Sequence, residues 1–132
     1  MSSTYERELK KKLEDKDWVV IRSAGSLGEA DLISMKVHTG DRGGTIIKTR
    51  LIEVKKTSKD DKKYLTRQPE QWTQMVDHAE RGIPVYYAVR FTSGSLDNRW
   101  QFYPVEGIED KDNPPVLRRE EGLDFHELFR YS

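Results

Sequence analysis

The chain has 132 residues, 35% of them hydrophobic and 35% charged, with 23 basic and 23 acidic side chains and no cysteine. That length suits a single domain spanning 1–132, since domains cluster near ~100–150 residues, and the lack of cysteine excludes disulfides and thiolate metal sites. No apolar run nears the ~18 residues that cross a bilayer and no secretory signal opens the chain, so an intracellular protein that avoids membranes is expected.

Ser3-Thr4-Tyr5-Glu6 has the form of a capping box, and Tyr5, Leu9 and Leu13 fall on one face behind it, predicting a helix to about Asp15. Trp18 to Ile21 reads as a short buried strand, and Ser23 to Glu29 as a Gly/Ser loop. Ala30 to Val37 and Thr45 to Lys56 read as two strands joined through Thr39-Gly40-Asp41-Arg42-Gly43-Gly44, a strong turn signal. Pro69, the apolar stripe Trp72, Met75, Val76 and Ala79, and Gly82 mark the start, face and stop of a second helix. Pro84 to Phe91 and Arg99 to Pro104 follow as paired strands. The expected order is α-β-β-β-α-β-β, an α/β fold with a central mixed sheet flanked by helices. Beyond a core of about 4–104, residues 105–132 form an acidic extension with Pro114-Pro115 and a last short helix, Leu123 to Phe129.

Charge is balanced overall but unevenly placed. From Ile46 to Arg67 eight basic residues face three acids, and from Val105 to Ser132 four basic residues face eight acids. A basic middle suits a polyanion on one face of the protein, with Lys56, Lys59, Lys62 and Lys63 as candidate DNA contacts.

An acid, any residue and then lysine occurs six times here, so the string alone says nothing. Only Glu53-Val54-Lys55 lies in strand-type sequence, after Leu51-Ile52. In a strand, Glu53 and Lys55 share one face while Val54 points into the core. Asp31 lies on the strand predicted to pair with this one, so both carboxylates can reach one hard cation such as Mg²⁺, which takes few carboxylates and several waters. On these residues alone the same set could be an ion pair on a solvated strand with Asp31 capping a turn. His38, His78 and His126 are too scattered for a metal cluster, and Trp72 and Met75 read as core or interface residues. Gln71 and Gln74 follow the active strand on the second helix, where a polar side chain can be directed to the site.

The run Tyr5 to Leu9, the segment Val19-Val20-Ile21-Arg22-Ser23-Ala24-Gly25-Ser26, then Asp31-Leu32-Ile33, Glu53-Val54-Lys55 and Tyr64-Leu65, together resemble the archaeal-type Holliday junction resolvases. These belong to the restriction-endonuclease-like nucleases. With Gly82-Ile83-Pro84-Val85 through Arg90-Phe91, the resemblance covers roughly residues 4–104. It implies a restriction-endonuclease-like core and a homodimer that resolves four-way DNA junctions with Mg²⁺, or Mn²⁺ in its place, leaving 5′-phosphate ends. It also implies metal ligation by Glu6, Asp31, Glu53 and the Val54 carbonyl, a catalytic Lys55, a functional loop serine at Ser26, and DNA contacts from Arg22 and Ser23. Two alternatives stay open: a related nuclease acting on flaps or duplex DNA, and a non-catalytic DNA-binding module.

Overall fold

A computed structural model describes residues 3–23, 31–59, 61–93, 100–107 and 109–130. In chain order the elements are α1 (Ser3–Glu14), β1 (Val19–Arg22), β2 (Leu32–Thr39), β3 (Thr45–Thr57), β4 (Lys62–Tyr64), α2 (Pro69–Glu80), β5 (Val85–Phe91), β6 (Trp100–Val105), β7 (Val116–Arg118) and α3 (Phe125–Arg130). Five strands form one sheet in the order β1-β2-β3-β5-β6. Only β3 and β5 run parallel, joined by α2 as the crossover, and the other neighbours are antiparallel. The expected mixed sheet with flanking helices is therefore present.

Strand alternation divides the core into two layers. On one face, Leu9 and Leu13 of α1 pack with Trp18, Val20, Leu32, Ile52, Val54, Ala88 and Phe102. On the other, Trp72, Met75 and Val76 of α2 pack with Val85, Tyr87, Val89, Phe91 and Tyr103. Trp72 and Met75 are thus core residues. Glu53 and Lys55 alternate with Val54, so they lie on the α2 face.

Two expectations are corrected. The segment Trp18 to Ile21 is not buried throughout: Trp18 and Val20 are, but Val19 and Ile21 are 56% and 49% exposed. They lie on an edge strand and alternate with Val20, so they are on the α2 side of the sheet but beyond the strands that α2 packs against. The segment between the fifth large strand and the last helix is not merely a polar tail. It contains β7, which pairs antiparallel with β4, a strand too short for sequence periodicity to reveal. The tail is also tied to α2: the Trp72 indole donates to the Asp110 carbonyl at 2.7 Å, and Lys111 pairs with Asp77 and Glu80. The last helix docks as expected, with Leu128 buried and Phe125 edge-on to Phe102 at 4.9 Å between ring centres. No helix among the described residues is long and apolar enough to cross a membrane.

Candidate active site

The site forms where β2 stops and β3 continues. The β2–β3 ladder ends at Leu32 opposite Ile52, so the next position on each side brings Asp31 against Glu53. With no strand left to pair, the Val54 N–H donates to Asp31 Oδ2 at 2.9 Å. In an extended strand the N–H and C=O of one residue point to the same side, so the Val54 carbonyl faces this edge as well. Val54 itself is 2% exposed and anchors the strand in the α1 layer.

Glu53 is 3% exposed. Its Oε2 accepts from Gln71 Nε2 at 2.8 Å and lies 3.4 Å from Lys55 Nζ. Its Oε1 is buried and receives no hydrogen bond from a protein donor, although the Glu53 and Asp31 carboxyls are close enough to share a proton. Burial, reinforced by the Asp31 charge and opposed by Lys55, pushes the Glu53 carboxyl up to about 8. Burial also raises Asp31, against the lowering effect of the Val54 hydrogen bond. Two facing carboxyls in a dry setting disfavour a second negative charge. Lys55 is held from both sides, by Glu53 and by the Gln68 side-chain oxygen.

Glu6 reaches this corner from α1. It is buried, its Oε1 lies 3.5 Å from Arg22 Nη2, and its charge acts on Asp31. No three acidic or histidine side chains among the described residues are gathered closely enough to hold one ion. Asp31 and Glu53 form a close carboxyl pair, and Glu6, paired with Arg22, lies near enough for its charge to act on Asp31. The pair still suits a hard divalent cation, because Mg²⁺ uses one or two carboxylates with waters and substrate oxygens. Glu53 Oε1 is the unsatisfied buried acceptor that such an ion would complete.

Ser23 closes the base of the following loop, its N–H donating to the Asp31 carbonyl at 2.8 Å. Ser26 lies outside the described residues. Lys59 and Lys62 stand 5.8 and 5.6 Å from the centre of the Tyr64 ring, and Lys63, next to Lys62 on β4, lines one cavity with Lys55. Lys56 points to the opposite face, 5.9 Å from the Tyr5 ring. Of the two glutamines singled out on α2, Gln71 reaches the site and Gln74 is exposed. Gln68 and Arg67, which local sequence pattern does not single out, line one cavity with Lys55. The signal for Gln68 is its place just before the helix-starting Pro69, where a side chain can turn back toward β3. Arg50, counted in the basic stretch, is instead buried between the Trp18 and Tyr86 rings and bonded to the Leu128 carbonyl.

Among solved structures, the chain is similar to the Holliday junction resolvase Hjc of the hyperthermophile Archaeoglobus fulgidus. The TM-score is 0.63 at 22% identity, over 96% of this chain and 98% of that one. No curated protein matches the sequence. The family model for archaeal Holliday junction resolvases matches residues 2–132, including the tail beyond the expected core. With that match across the whole nuclease-like framework, the chain belongs to the archaeal Holliday junction resolvase family, structure-selective nucleases that resolve DNA junctions.

Proposed function

We propose that the protein is a Mg²⁺-dependent endodeoxyribonuclease, with Mn²⁺ able to substitute, that cuts four-way junctions by paired phosphodiester hydrolysis inside the cell. The observation that carries this reading is Glu53: a buried carboxylate with one oxygen fixed by Gln71 and the other unsatisfied beside Asp31. Asp31, Glu53 and the Val54 carbonyl would hold the cation, with Glu6 contributing through a bridging water. A cation bound there supplies Lewis acidity toward the phosphate and lowers the pKa of water.

The protein groups have separable tasks. Lys55, fixed between Glu53 and Gln68, orients the attacking water and offsets charge developing on the phosphoryl oxygens. Arg22 can present its guanidinium fork to a neighbouring phosphate, and Ser23 with Ser26 would contact the strand from the adjoining loop. Water adds to phosphorus, the bond to the 3′ oxygen breaks, and that oxygen leaves with a proton. The products are a 5′-phosphate and a 3′-hydroxyl.

One monomer carries one such site, so symmetric cuts across a junction call for a two-fold homodimer. The test uses a synthetic four-way junction with Mg²⁺, competed by flap and linear duplex DNA. Symmetric nicks that persist against excess duplex and vanish in Asp31→Ala and Glu53→Ala support the reading. Full activity in both variants would remove these residues from the mechanism, and equal competition by flap or duplex would transfer the activity to those substrates.

A further inference from the structure

Strand β4 has three residues, yet it is held firmly. Thr57 Oγ1 donates to the Lys62 carbonyl at 3.1 Å, and the Arg119 N–H donates to the Asp61 carbonyl at 2.7 Å. Its register with β7 pairs Lys62 with Arg118, Lys63 with Leu117 and Tyr64 with Val116. Leu65 is buried next to it and accepts from the Gln68 N–H. Between this anchored strand and the start of α2 lies a cavity of about 350 Å³, whose lining includes Lys55, Lys63, Tyr64, Arg67, Gln68 and Gln71.

Its electrostatics are one-sided. Lys55 is answered by Glu53, but the charges acting on Lys63 come from Lys55, Arg67 and Lys56, all positive. Lys63 is also half-buried, so burial and repulsion both work against its charge in the free protein. An anion entering the cavity would relieve both.

We propose that this cavity is a phosphate subsite, holding a DNA backbone phosphate next to the scissile one through Lys63 and the fork of Arg67. The identity of that phosphate rests on the nuclease reading above. Lys55 joins the two places: it lines the cavity and lies 3.4 Å from Glu53. A strand whose phosphate is seated here is therefore positioned beside the carboxylate pair. Arg67 suits the task because its planar guanidinium binds phosphate oxygens in pairs.

The experiment measures binding without metal, so it does not depend on cleavage. Uncut four-way junction and linear duplex are titrated in EDTA over about 50 to 200 mM salt with wild type, Arg67→Gln and Lys63→Gln/Arg67→Gln. The expected result is a log–log salt slope shallower by about one for each cation removed, with affinity weakened about equally on both DNAs. Arg67 is exposed, so its single variant keeps the fold. Placing one neutral methylphosphonate beside the cut position should weaken wild type and have no further effect in the double variant. Unchanged slopes, or a methylphosphonate effect that adds fully to the double variant at every position, would overturn the subsite. Nicking with Mg²⁺, read separately, distinguishes this failure from failure of the nuclease assignment.

Discussion

Gln71 Nε2 donates to Glu53 Oε2 across 2.8 Å, so the first turns of α2 fix one oxygen of the buried carboxylate and leave the other without a donor. The crossover helix therefore does more than connect two parallel strands. Gln68, just before its first residue, holds Lys55 and its Gln71 holds Glu53, setting both groups at the edge where β2 has ended. Removing the amide in Gln71→Ala should lower junction cleavage roughly 10- to 100-fold, the usual cost of losing a partner behind a metal ligand. A raised Mg²⁺ requirement in single-turnover nicking, with DNA affinity in EDTA unchanged, is the expected pattern. Wild-type nicking at low Mg²⁺ would show that Gln71 does not orient the carboxylate.

The pH dependence follows from Glu53. Its folded carboxyl is raised to about 8 from the ordinary 4.5, first by burial and then by Asp31. The folded state thus holds the proton more tightly than the unfolded one. That contribution to stability is fully present below pH 4.5 and is lost as pH rises toward 8 and beyond. Thermal melts of the metal-free protein should lose stability over this window, and Glu53→Gln should flatten the decline. Mg²⁺ bound at the proposed site would have to displace the same proton, so on that proposal its stabilisation should grow with pH in wild type and be absent in Glu53→Gln. A decline of equal slope in the variant would assign the titration to another group.

Much of this arrangement could be read from local pattern. Period-two alternation places Glu53 and Lys55 on one side and Val54 in the core, and the turn ending at Gly44, with Gly43 at φ 82°, brings β2 back beside β3. Proline at the start and an apolar stripe marked α2 correctly. What stayed hidden depends on contacts distant in sequence. β4 and β7 have three residues each and are far apart in the chain, so neither shows a period. Arg50 looks like a surface cation until Trp18, Tyr86 and α3 enclose it. Glu6 fits a capping box by spacing, but the salt bridge to Arg22 exists only once β1 packs beside α1.

The sheet offers a surface for the proposed dimer. Val37 and Ile47 are 60% and 59% exposed and directly paired across β2 and β3. By strand alternation Val19 and Ile21 lie on this same face, beyond the strands that α2 packs against. Contiguous apolar surface of this kind marks association sites. Val37→Glu and Ile47→Glu should shift sedimentation from dimer to monomer with little effect on the monomer's stability, within about 0.5 kcal/mol for surface positions. They should also replace paired cuts with single nicks. Dimers that persist in both variants would place the interface elsewhere.

The tail should matter to DNA binding through packing alone. Leu117 on β7 is buried against the α2 layer, and its strand position is opposite Lys63. Tyr103 fastens the same strand, its hydroxyl donating to the Arg118 carbonyl at 2.6 Å. Leu117→Ala removes buried methyl groups and should destabilise the fold by roughly 2–4 kcal/mol, while leaving every basic side chain in place. If β7 holds β4 in register, this variant loses junction affinity at temperatures well below its Tm, and its salt slope becomes shallower although no charge has changed. Tyr103→Phe should do the same more weakly, since one hydrogen bond contributes about 1 kcal/mol. An affinity and slope equal to wild type in folded Leu117→Ala would mean that β4 keeps its place without the tail.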